Sequence, residues 1–270
     1  MFVYDGFGLK NYALEVARGN IPGQSSVNKF GHNKEIDSGV TADIWDGGYT
    51  VTSGGDALIW LAPTAARIHG IASSSDLDGK TAAPSSVGAR TLRVYGLTTW
   101  GTAESSEDIT LDGTTSVNTA SSYVIIHRMK VLTSGSTSIN VGEIKATAAS
   151  DGTITARIQA THGQTEMAIY GVPSTQKAYI GIIYVSVNKS GGAAASADTH
   201  ILVNENPDVQ TTNFIIKHVD GVTVTGTSHL HHSWYTPVEI IGPAIIKINA
   251  VSSVNNNDVA AGFDLILVDN

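Results

Sequence analysis

The sequence predicts an all-β protein of antiparallel β-sandwich or jelly-roll modules, preceded by an extended N-terminal arm that carries a short helix. Three observations point there. Short runs dense in Val, Ile, Thr and Tyr recur from residue 58 to the C-terminus, the composition of a pleated, half-buried surface. The gaps carry turn chemistry: Ser53-Gly54-Gly55, Asp112-Gly113, Asp151-Gly152 and Asp220-Gly221. No long amphipathic helix lies between the runs, which favours antiparallel sheets over a helix-crossed parallel sheet.

The first fifty residues differ from the rest. Leu9, Tyr12, Ala13 and Val16 fall at i, i+3, i+4 and i+7, one face of a helix over about residues 8–18 that Gly19 and Pro22 would end. Such a helix is too short to stand alone and needs a surface to dock on. Residues 23–48 show no sustained period, and their apolar residues are isolated: Val27, Phe30, Ile36, Val40, Ile44 and Trp45. That spacing suits an arm planting single side chains in pockets of a neighbour. A long loop wrapped over its own domain is the other reading, disfavoured because such loops are uncommon inside compact domains. The arm's expected partner-binding residues are Val27, Lys29, Phe30, Ile36, Ile44 and Trp45.

Beyond the arm, strands are expected at 58–62, 68–72, 91–96, 123–132, 139–147, 154–159 and 167–172. Others are expected at 178–187, 201–203, 213–219, 238–241, 245–251 and 263–268. Residues 57–71 and 167–182 look alike, with Pro63 and Pro173 in matching places, and 91–94 and 200–203 share nearly the same offset. The offset fits duplicated modules, 51–150 and 151–270 after an N-terminal region 1–50. Any two hairpins of a β protein can also look alike, and the sequence leaves both readings open.

Composition narrows the function classes. Net charge is −8 with 16 basic residues, which disfavours a nucleic-acid binder, since that needs a concentrated positive patch. Only 15% of residues are charged and 41% are apolar; Ser and Thr fill about a fifth of the chain. A disordered chain would trade apolar residues for charge instead. Absence of cysteine removes disulfides, thiolate nucleophiles and Cys-ligated zinc. No apolar run reaches eighteen residues, so no membrane partner is expected, and the first residues lack the regions of a signal peptide.

No motif argues for an active site, and neither enzyme activity nor a cofactor is expected. The chain has no Gly-x-Ser-x-Gly elbow, phosphate loop or dinucleotide fingerprint. Glu104 and Glu107 read as a solvated pair rather than an acid and a base. Among nine histidines, His229 and His231 would point the same way on a strand, the spacing two imidazoles need to share a metal. No carboxylate is near them in sequence, so they are weak metal candidates. Asp37, Asp43 and Asp46, and Asp76 with Asp78, invite a calcium reading, but neither stretch alternates its ligands, and solvated turns are expected. Trp100 and Trp234 are candidate sugar-stacking residues, or else residues of a core edge or interface.

Val27-Asn28-Lys29-Phe30-Gly31-His32-Asn33, then Ile36, then Asp43-Ile44-Trp45-Asp46-Gly47-Gly48 resembles the N-terminal stretch of virion structural proteins of tailed bacteriophages, notably those from marine hosts. Gly88-Ala89-Arg90-Thr91, Leu111-Asp112-Gly113-Thr114-Thr115 and residues 261–269 are similar to the same group. Residues 1–20 and the His229-Leu230-His231-His232 run lie outside it. The resemblance implies a non-enzymatic particle component. Within that class the expectation is a capsid decoration or cement protein on the virion surface, bound to the major capsid protein through its arm. It would also associate with itself, as a trimer because shells offer threefold sites. The alternative is a head-fibre, tail or adhesin component that binds host glycan.

Overall fold

The computed structural model describes residues 2–4, 9–46, 58–79, 87–188, 194–224 and 227–270. The N-terminal elements are β1 (Phe2–Tyr4), β2 (Leu9–Asn11), α1 (Tyr12–Ala17), β3 (Gln24–Ile36) and β4 (Thr41–Asp43). Then come β5 (His69–Ser73), β6 (Ala89–Leu97), β7 (Ser105–Thr110), β8 (Val117–Asn118), β9 (Ile125–Ser134), β10 (Ile144–Ala148) and β11 (Ile154–Ile158). The last are β12 (Ile169–Val172), β13 (Gln176–Asn188), β14 (Ala195–Asn204), β15 (Ile215–Val224), β16 (Thr227–Ile241), β17 (Ala244–Ser252) and β18 (Asn257–Asp269). All strand ladders are antiparallel, as the sequence predicts.

Two hydrophobic cores organise the sheets. Around the first lie the sheet β16-β13-β18-β3 and the sheet β12-β17-β14-β15, whose β17 also carries β4. Its largest fully buried members include Phe263, Ile36 and Ile44. The second core gathers β7-β6-β9 and β11-β10-β5-β8 around Trp45, Trp60, Tyr123 and Leu92. Strands β12 and β17 belong to both. Tyr170 and Ile246 face the first core while their neighbours Ile169 and Ile245 face the second. Hence Ala244–Ser252 is an almost unbroken buried run, the pattern of a strand covered on both faces.

Helix α1 is the only helix among the described residues and is shorter than the 8–18 span expected. Residues 9–11 pair with 2–4 instead, so the helix starts only after Asn11, whose side chain accepts from Leu14 N–H at 3.3 Å. It stops where expected: Gly19 takes a φ of 74° just past the helix end, a conformation glycine adopts at little cost.

The extended arm is corrected. Residues 24–36 form a thirteen-residue edge strand laddered along the C-terminal β18, from Gln24 opposite Val268 to Ile36 opposite Asn257. Residues 41–43 pair with β17. Both strands join sheets of the chain's second half, so residues 24–43 belong with that half rather than apart from it. Two further expectations change. Residues 58–62 form no strand although Trp60 is fully buried, so the likeness to 167–182 does not extend to pairing, since 169–172 is β12. Asp220-Gly221 lies inside β15 rather than at a turn, whereas Gly113 and Gly152 occupy the left-handed conformation their turns need.

Candidate functional site

The two halves of the 27–46 motif meet in space, at the seam between the cores. Gly31 is why they can. A Cβ there would sit 2.3 Å from the Ile44 carbonyl oxygen and 2.5 Å from the Ala168 nitrogen, so only glycine lets β3 approach this backbone. Asn33 Nδ2 then donates to the Asp43 carbonyl at 3.2 Å, and Ala168 N–H donates to the Ile44 carbonyl at 2.9 Å. Gly47 and Gly48 lie outside the described residues.

Asp43 and Asp46 are not the solvated turn residues expected; both are fully buried. Asp43 Oδ2 accepts from Lys247 Nζ at 2.6 Å and from Trp60 N–H at 2.7 Å. Burial raises the Asp43 carboxyl, while Lys247 and the Trp60 N–H pull it back. Lys247 Nζ also lies 4.3 Å from the Phe214 ring centroid, so the pair is enclosed by apolar surface. Asp46 Oδ2 accepts from Glu166 N–H at 2.7 Å, and its carbonyl accepts from Gln159 Nε2 at 2.6 Å. Beyond it, His32 bridges two carboxylates, Glu166 at 3.3 Å and Asp258 at 2.5 Å, and these hydrogen bonds raise it to about 9.

The six arm residues divide as follows. Ile36 and Ile44 are fully buried in the first core, with Val27 packed partly against it, and Trp45 is fully buried in the second. Phe30 is half-buried. Lys29 is buried and donates to the His127 carbonyl; burial, with Arg128 nearby, lowers its amine to about 7. Lys29, Ile36, Ile44 and Trp45, expected to reach a neighbour, are thus seated in this chain's own interior, the wrapped arrangement that is the second reading of the sequence.

The histidine run behaves as a strand, but the useful face is the other one. His229 and His231 are exposed, while His232 and Trp234 turn inward along β16. His232 Nδ1 lies 3.4 Å from Asp220 Oδ1, and His218 Nε2 lies 3.1 Å from Asp220 Oδ2, both acceptors on β15. The His218 and His232 rings meet edge to face at 4.5 Å, and Trp234 packs on both, at 5.0 and 4.6 Å. Neither His229 nor His231 belongs to a cluster of metal-ligand type among the described residues; His218, Asp220 and His232 do. The missing carboxylate came from β15, read as a turn residue. Asp78 likewise is buried, not solvated: its carboxylate accepts from Ser73 Oγ and from the N–H groups of Ala89, Val141 and Gly142, at 2.7–2.9 Å. Asp76 is exposed and holds Thr114. Glu104 accepts from buried His127 at 2.6 Å and Glu107 from Ala120 N–H at 2.9 Å, so each has a local structural partner. Trp100 is partly buried against the second core.

Exposed apolar surface is concentrated on one stretch of chain. Among the described residues, six of ten exposed large hydrophobic residues lie between 209 and 241: Val209, Ile215, Ile216, Val219, Tyr235 and Ile241. Five of these are on β15 and β16, each the outer strand of its sheet. Tyr235 lies where the β16–β13 register slips, between Ser233 opposite Ile182 and Val238 opposite Ile180. An outer strand with apolar side chains is a template for another chain.

No protein-family model matches the chain, and no curated protein does. Among solved structures, the chain is similar to the protein of T=1 particles derived from infectious bursal virus. The identity is 9%, the match covers 92% of this chain and 70% of that one, and the TM-score is 0.24. For the infectious bursal disease virus VP2 subviral particle the values are 12%, 92%, 73% and 0.22. Both are virus-particle proteins, and the likeness is weak; at such scores it carries no argument about this chain.

Proposed function

We propose that the chain is a non-enzymatic structural protein of a virus particle, a decoration or cement protein that binds the major capsid shell of a tailed bacteriophage. The observation that carries the reading is the exposed apolar side chains on the outer strands β15 and β16, on a protein whose former arm is already folded into its own sheets. Contact with self and shell then falls to those strands, with a trimer as the expected assembly. The motif resemblance over residues 27–46 supports the particle class, with its residues supplying the seam rather than the contact. Covering exposed apolar side chains such as Ile216 and Val219 with a partner surface contributes about 25 cal/mol per Å² of apolar area removed from water.

Tyr235, at full exposure and next to Trp234, supports the alternative: a head-fibre or tail component whose aromatic platform contacts host glycan.

Ile216→Lys places a charge in the proposed contact. Wild type is expected to sediment as an oligomer at micromolar concentration and the variant as a monomer, with equal melting temperatures because Ile216 is over half exposed. Monomeric wild type, or a variant that still assembles, contradicts the contact.

A further inference from the structure

We propose that Asp46, His162 and Glu166 form a binding site for a divalent cation of the zinc class at the seam between the two cores, with Asp46 fully buried and the other two partly exposed. One ligand atom of each lies within 4.8 Å of the others. They come from separate places: Asp46 follows β4, while His162 and Glu166 sit on the connection between β11 and β12. A shared ion would pin the N-terminal strands to the second core.

An independent observation points to a missing ligand. Asp46 is fully buried; one carboxylate oxygen, Oδ2, is held by the Glu166 N–H, and the other, Oδ1, has no hydrogen-bond partner. Both oxygens of Glu166 have an imidazole neighbour: His162 Nδ1 stands 3.2 Å from Oε1, and His32 Nδ1 stands 3.3 Å from Oε2. A fully buried carboxylate oxygen without a hydrogen-bond partner, as Asp46 Oδ1 is, is one that native interiors avoid. A cation held between the three side chains would satisfy it.

The surroundings fit. Arg157, a cation that acts on Asp46 through its charge, is engaged by Glu143 at 3.0 Å. His32 holds the far side of Glu166 and is itself held by Asp258, the outer partner that orients a ligating carboxylate. One imidazole nitrogen with two carboxylates selects zinc, or a similar transition ion, over calcium, which takes oxygen ligands only.

The test is calorimetric titration of untagged, chelator-treated full-length chain with zinc chloride and, separately, calcium chloride. A His218→Ala/His232→Ala background removes the surface cluster. One equivalent of zinc is expected to bind there and raise the melting temperature, with calcium at least tenfold weaker. Asp46→Asn keeps the shape and should weaken zinc at least tenfold; His162→Gln is the second variant, should Asp46→Asn fail to fold. No zinc uptake, uptake that both variants leave unchanged, or preference for calcium overturns the assignment.

Discussion

Asp43→Ala is expected to lower the unfolding free energy by about 3–5 kcal/mol. The substitution leaves the Lys247 ammonium, almost fully buried beside Phe214, with no counter-charge, and it removes the acceptor of the Trp60 N–H. Asp43→Ala/Lys247→Met should recover part of the loss, because no isolated charge then stays in the interior. Denaturant unfolding of the three variants checks this. If the single variant loses less than about 1 kcal/mol, or the double variant is the less stable one, the pair is not the enclosed ion pair described here. The effect should be global, since β4 and β17 lie where the two cores meet.

Trp45→Ala should cost about 3–5 kcal/mol in the free protein. Its ring is 1% exposed, packed in the second core with Trp60 and Met167, and nothing suggests that so large a void would collapse. The same substitution separates the two readings of the N-terminal segment. An arm anchored in a neighbour would leave the free chain's melting unchanged and abolish association. A segment folded into its own chain melts earlier at every protein concentration. Unchanged melting together with lost association would restore the arm.

Much of the strand content was legible because its chemistry is ordinary. Residues 178–187 and 263–268 are apolar where they are buried, and they form most of β13 and the second half of β18. Strand β3 escaped for a physical reason. Before Ile36 its buried positions alternate as a strand's should, but they are filled by Lys29, Gly31 and Asn33, each suited to a specific approach or hydrogen bond rather than to apolar packing. Period two was present in burial and absent in hydropathy. The first part of β16 escaped likewise, because His, Ser and Trp occupy residues 228–234. The seam was only half visible: the motif held His32, Asp43 and Asp46, whereas Lys247, His162 and Glu166 lie over a hundred residues away and carry no local signal. The ligand-type cluster on β15 and β16 required Asp220, which sits in an Asp-Gly pair that usually marks a turn.

Copy number in purified particles tests most directly the proposal that this chain is a shell-associated particle component. Quantitative staining or mass spectrometry, calibrated on the major shell protein, is expected to find the chain in numbers approaching those of the shell subunits. A few to dozens of copies would place it in a fibre or tail, and its absence from the particles would contradict the account.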